Sequence, residues 1–211
     1  MKKKPASPES RHASVPMRFL SLAMDNLWNL VKLNIVFLIS CIPIVTIGPA
    51  LTALSHLTAQ MVRDEEELSF PVKQYIFYFR QSFFRALPMG LLILLLHIVF
   101  GGGLLIYGSM MSAGTGYLLP CSCSLLVLLF TWGIGLHLFP MLAQPVEENL
   151  LSNAAMHALQ HMGKTILAVI LMIVLLMIQL MTFPVSLPVI LSLGIALPSL
   201  AGSFAYVDTV A

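Results

Sequence analysis

Pro43-Ile44-Val45-Thr46-Ile47-Gly48-Pro49-Ala50 is the stretch that decides how this chain folds. It lies between an apolar run, Leu27–Ile42, and a second helical stretch, Pro49–Val62. Proline lacks the amide proton and crowds the preceding turn, so Pro43 and Pro49 cannot continue a helix they interrupt, and Gly48 tolerates a positive φ. Pro49 suits the first position of a new helix. The spacing therefore predicts a helix–break–helix corner, placed beside a run long enough to enter a bilayer.

Working outward, composition fixes the class. Hydrophobic residues make up 58% of the chain and charged residues 9%, against roughly half and a quarter in soluble domains. The apolar residues come in blocks of spanning length, which predicts an all-α, polytopic transmembrane helical bundle. Residues 1–16 form a basic N-terminal tail with Lys2, Lys3, Lys4 and Arg11, and 17–211 form a single transmembrane domain. Leu38-Ile39-Ser40-Cys41 has the look of a lipoprotein cleavage box. Lys32 and Asn34 interrupt the apolar stretch before it, however, and the chain stays apolar to Ala50, so an uncleaved first helix is expected. Cys41, Cys121 and Cys123 read as small packing residues rather than a disulfide framework.

Expected crossings lie near 27–44, 49–62, 86–107, 117–143, 165–182 and 188–207. The second is short, about 21 Å at 1.5 Å per residue, and reads either as a protein-buried span or as half of a re-entrant hairpin. Phe70–Arg85 interleaves aromatic residues with Lys73, Arg80 and Arg85, a mixture that favours the membrane interface. It reads as a surface-lying helix feeding the next span. In the last span Gly194, Pro198 and Gly202 step by four and would let a neighbouring helix approach closely.

Every Lys and Arg falls in the N-terminal tail and first helix, in 63–85 or at 164, whereas the turns 108–116 and 183–187 carry no charge. The positive-inside rule places the charged zones in the cytoplasm. Six crossings, with both termini cytoplasmic, satisfy that pattern in a bacterial cell membrane.

The corner residues Pro43, Thr46, Gly48, Pro49 and Ala50, with Asn26-Leu27-Trp28 before them and Thr52-Ala53-Leu54 after, resemble the YesL-like family of bacterial integral membrane proteins. Phe79-Arg80-Gln81-Ser82-Phe83-Phe84-Arg85-Ala86, Leu138–Ala143 and Asn153-Ala154 extend the resemblance over most of 17–207. Two departures are Gln144-Pro145, where the family usually has a basic and an aromatic residue, and Ser82, where Asn is common. The family lacks an established biochemical activity. Its members are often encoded near carbohydrate uptake systems, so the resemblance implies an accessory role in sugar transport.

Several residues invite chemistry. Arg18, Asp25, Asn29 and Lys32 share one face of a helix over Met17–Lys32. They read either as an interfacial face with Lys32 snorkelling, or as a polar seam in which Asp25 and Lys32 compensate each other. The helix start at Pro49–Thr52 offers free backbone N–H groups to an anion, unless Thr46 simply caps a buried break. His56, His97 and His137 lie within or beside spans, where ionisable side chains are functional candidates. A neutral histidine bonded to a backbone carbonyl is the plainer reading. His157 and His161 stand four apart, but no third ligand joins them at convincing spacing, so a solvated face is expected rather than a metal site.

The sequence contains no phosphate-binding loop, nucleophile elbow or paired carboxylates. No enzyme, cofactor or nucleic-acid partner is expected, and nothing fixes the oligomeric state. Two functions follow as expectations. One is an accessory or assembly partner of a sugar permease in the lipid bilayer. The other is a small transporter or channel with its site at the broken helix 43–52.

Overall fold

The computed structural model describes residues 15–64, 68, 70–144, 149–181 and 192–210. The basic tail before Val15, the acidic residues 65–67, Glu147, Glu148, the 183–187 turn and the start of the last expected span lie outside the described residues. The described chain is all-α. Its elements are α1 (Val15–Asp25), α2 (Leu27–Ser40), a 3-10 turn (Ile44–Thr46), α3 (Ile47–Asp64), α4 (Pro71–Met110), two further 3-10 turns (Met111–Ala113 and Thr115–Tyr117), α5 (Leu118–Leu142), α6 (Leu150–Gln160), α7 (Met162–Met181) and α8 (Ala196–Val210).

α3 is the axis of the bundle. It packs most extensively on α4, then on α8 and α5. Ala50, Ala53, Leu54, Leu57 and Met61 are fully buried there, joined by Leu30 and Leu33 of α2 and Leu200 of α8 in one apolar core. A second core joins Leu138, Phe139 and Leu142 of α5 to Ala86 of α4, Ala154 of α6 and Tyr206 of α8.

Three stretches are long and apolar enough to cross a membrane: Pro71–Met110, Thr115–Leu142 and Met162–Met181. Counting the bent pair Met17–Asp25 and Leu27–Ser40 as one span would make four. α3 does not qualify by hydropathy, for a physical reason. Its neighbours wrap it, so Thr52 and Thr58 meet protein instead of lipid, and a protein-facing helix has no need of an apolar surface.

Three local expectations change. The Met17–Lys32 segment is not one helix but two, meeting at 75° around Asn26. The Asn26 side-chain amide donates to the Leu22 carbonyl at 3.3 Å, competing with the helical ladder as Asn commonly does. Pro49 is not the first residue of its helix. α3 starts at Ile47, leaving Pro49 in the first turn, where a backbone donor has no intrahelical acceptor to lose. Finally, the aromatic segment 70–85 is not a separate surface helix. It is the start of an unbroken 40-residue α4 that opens with Pro71 in its first turn. At about 60 Å, α4 is twice the thickness of a hydrocarbon core of about 30 Å, so its aromatic and basic third extends beyond the apolar part.

Candidate functional site

At the corner, α2 stops at Ser40, Pro43 takes an extended conformation (φ −77°, ψ 112°), and the 3-10 turn leads into α3. Thr46 caps, but at the opposite end from that expected. Its hydroxyl points back toward the Ser40 carbonyl and the Pro43 carbonyl, the latter at 2.6 Å. It thus serves the exposed carbonyl end of α2 rather than the N–H groups of α3.

Two reasons for Gly48 were open from the sequence, a special backbone conformation or close packing that a Cβ would disturb, and the structure shows the second. No glycine with positive φ occurs among the described residues, and Gly48 is helical. A Cβ built on it would lie 2.5 Å from the Ala86 carbonyl oxygen and 2.8 Å from the Gly90 Cα. A Cβ on Gly90 would run into the Gly48 backbone in the same way. α3 and α4 therefore touch backbone to backbone. On α4 the contact is made at Ala86 and Gly90, which with buried Ser82 four residues earlier form a stripe of small residues of the kind that lets membrane helices approach. Sequence reading passed over this stripe, although its period was legible. Tyr75 of α4 is buried beside it, with its hydroxyl donating to the Ala50 carbonyl at 3.3 Å. Gly48, Pro49 and Ala50 are all buried, so the first turn of α3 is covered by protein.

Polar side chains near the corner tie helices together. Asn34, fully buried in α2, accepts the backbone N–H groups of Ile195 and Ala196 at 2.9 and 3.1 Å. It caps the last helix from a position 161 residues away. Thr58 of α3 meets the hydroxyls of Ser199 and Ser203 of α8 at 3.0 and 2.8 Å. The sequence marked Asn34 only as a polar interruption; nothing local signals a cap supplied from so far along the chain.

The three histidines marked within or beside spans, His56, His97 and His137, each have a side-chain contact. His56 Nδ1 donates to the Pro140 carbonyl at 3.4 Å, and its ring lies 4.3 Å from that of Tyr78. His97 Nδ1 donates to the Ile93 carbonyl of its own helix at 2.8 Å. His137 is fully buried and shares a hydrogen bond with Thr165 Oγ1 at 3.1 Å. Its ring stacks 6.5 Å from that of His157, which is thus turned inward rather than wholly onto a solvated face. The Nδ1 atoms of both rings are buried without a partner. Nearby, Gln144 donates to the Tyr206 hydroxyl at 3.1 Å, and Arg85 donates to the Gln144 carbonyl at 3.1 Å. No group of three metal-binding side chains occurs among the described residues.

The structure does not assemble the polar seam along one helix. Asp25 is exposed at the end of α1, beyond the bend. Asn29 is buried, and its amide points to the Leu68 carbonyl at 3.5 Å, the outer limit of a hydrogen bond. Lys32 lies 5.5 Å over the Trp28 ring. Arg18 instead stacks 6.0 Å over Phe204 of α8. All three cysteines are free.

One sizeable concavity opens outward between α4, α5 and α6, with a volume of about 790 Å³. Leu92, Leu96, Phe130, Ile134 and Leu151 dominate its walls, with only Ser152 and Thr131 adding hydroxyls.

The model of the family described as "Protein of unknown function, DUF624" matches residues 30–104, which run from α2 through the corner and α3 into the second half of α4. No curated protein and no solved structure matches the chain.

Proposed function

We propose that this chain is a non-enzymatic, YesL-like integral membrane protein of the bacterial cell membrane, acting as an accessory or assembly partner of a carbohydrate transport system. The observation that carries this reading is the corner. A transporter built on a broken helix keeps free backbone groups at the break for its substrate. Here the start of α3 is pressed against α4 at Gly48 and Gly90, and Asn34, Thr46 and Thr58 bond to the protein itself. Such polar groups act as struts. The association of YesL-like proteins with sugar uptake points to the kind of partner.

Six crossings with both termini cytoplasmic belong to the same proposal. α3, with 18 residues, is about 27 Å long, close to the hydrocarbon thickness, and its burial accounts for its polarity. The distribution of Lys and Arg supports the orientation.

Purification from native membrane under mild detergent tests the role. A stoichiometric permease supports it. Sugar flux through liposomes containing this protein alone would replace it with the second reading, a small transporter or channel with its site at 43–52, in which Gly48 and Gly90 must part.

A further inference from the structure

We infer that the outer face of α4 between Phe70 and Phe84 lies against anionic lipid headgroups, with Arg80 taking the phosphate. At about 3.6 residues per turn, Phe70, Lys73, Phe77, Arg80 and Phe84 fall on one face of the helix. Phe70, Phe77 and Phe84 are 64%, 61% and 87% exposed, and Lys73 and Arg80 are exposed between them. Tyr75, Ser82 and Ala86 take the opposite face and are buried, so this ladder of alternating rings and cations cannot turn into the bundle. Rings and long basic side chains in one patch suit the boundary between hydrocarbon and headgroups. Continuity decides for lipid. The same face carries Leu91, Leu95 and Ile98 in the apolar part of α4, and these are 38%, 58% and 63% exposed. Their surroundings are hydrocarbon, so the ladder beneath them meets the headgroup layer of the same leaflet.

Charge selects the headgroup. α4 carries Lys73, Arg80 and Arg85 and no acidic residue. Arg85 bonds to the Gln144 carbonyl, and the Lys73 ammonium lies 5.4 Å over the Phe70 ring. Arg80 has no polar partner among the described residues, and its planar guanidinium matches phosphate oxygens. Depth agrees. Phe84 stands two residues before Ala86, where the expected crossing begins. Arg80 is one turn further out, about 6 Å along the axis, within a headgroup layer of about 5–7 Å. Lys73 lies about 16 Å from Phe84, beyond that layer, and attracts the anionic surface only through the screened field, which decays over about 8–10 Å. The unequal depths assign contact to Arg80 and a smaller effect to Lys73.

Bromine-labelled lipids test the face. Trp28→Phe and Trp132→Phe remove both native tryptophans, and Phe84→Trp places one reporter on the ladder. The full chain is placed in phosphatidylcholine vesicles containing a minor fraction of phosphatidylglycerol or, separately, of phosphatidylcholine, brominated near the headgroup end of the acyl chains. Quenching is expected to favour phosphatidylglycerol by about fivefold in apparent affinity, the scale of one basic side chain near an anionic surface. Arg80→Gln is expected to remove the preference, Arg80→Lys to keep most of it, and Lys73→Gln to weaken it less than Arg80→Gln does. With Ile106→Trp as the reporter instead, at an exposed residue near the other end of α4, no preference is expected. Equal quenching by the two lipids in Phe84→Trp would overturn the inference. So would quenching by neither lipid, the result if another protein covers the face. A preference that survives Arg80→Gln, an equal loss in Lys73→Gln, an equal preference in Ile106→Trp, or abolition by inorganic phosphate at matched ionic strength would overturn it as well.

Discussion

Replacing Gly48 with alanine adds a single methyl group where α3 crosses α4. That carbon would start 2.5 Å from the Ala86 carbonyl oxygen and 2.8 Å from the Gly90 Cα. Ordinary contact begins at 3.4 Å, so the two backbones must separate by about 0.9 Å, the difference between 3.4 and 2.5 Å. Neither obstacle is the loose end of a side chain, and no rotamer change relieves the clash. Overpacking of this kind costs about 1–3 kcal/mol. Alanine's better helix propensity returns less than about 1 kcal/mol, since Gly48 lies in the first turn. The net expectation is a loss of about 1–2 kcal/mol, or a fall in melting temperature of roughly 2–8 °C for a chain of this size. Thermal unfolding in detergent, followed by fluorescence, measures it. Gly90→Ala should cost at least as much. The double variant should cost less than the sum, because one separation of the helices admits both methyl groups. Gly101→Ala is the control, since a Cβ there meets nothing within 4 Å. If Gly48→Ala and Gly101→Ala melt together, the backbone contact is not what holds α3 against α4.

Asn34→Ala should destabilise by about 2 kcal/mol, because two N–H groups at the start of α8 lose their acceptor; chemical unfolding in mixed micelles would measure it, and an unchanged midpoint would refute the cap. Thr58→Val should cost only about 0.5 kcal/mol, the usual scale for hydroxyl contacts between membrane helices, since Ser203 keeps its bond to the Ser199 carbonyl at 2.9 Å. Arg18→Ala should lower the melting temperature more than Asp25→Ala, as Arg18 covers Phe204 and Asp25 is exposed; the reverse order would restore the Asp25–Lys32 seam. A reporter active only outside the cell should be silent after residue 70, 155 or 211 and active near 112 or 185, and activity after 155 would break the six-crossing topology.

The sequence by itself determined the class and the position of the break. Apolar blocks of spanning length have few alternatives to helix in lipid, because an unpaired peptide group there is costly, and α4, α5 and α7 fulfil that expectation. Pro43 and Pro49 placed the break to within a few residues, between Ser40 and Ile47, since proline's constraint on its own backbone is local. The tertiary structure decided what the local pattern could not reach. Composition marked Gly48 as special, but conformational freedom and close packing look alike in a sequence. Only the α4 backbone lying across it shows that packing is the reason. Beyond the bend at Asn26, α1 leans against α8, with Phe19 6.0 Å from Phe204, a contact that no local pattern announces. The role of Asn34 requires α8 to bring its unbonded N–H groups to α2. A helix end needs a partner wherever the fold can supply one, and distance along the chain does not limit which residue serves.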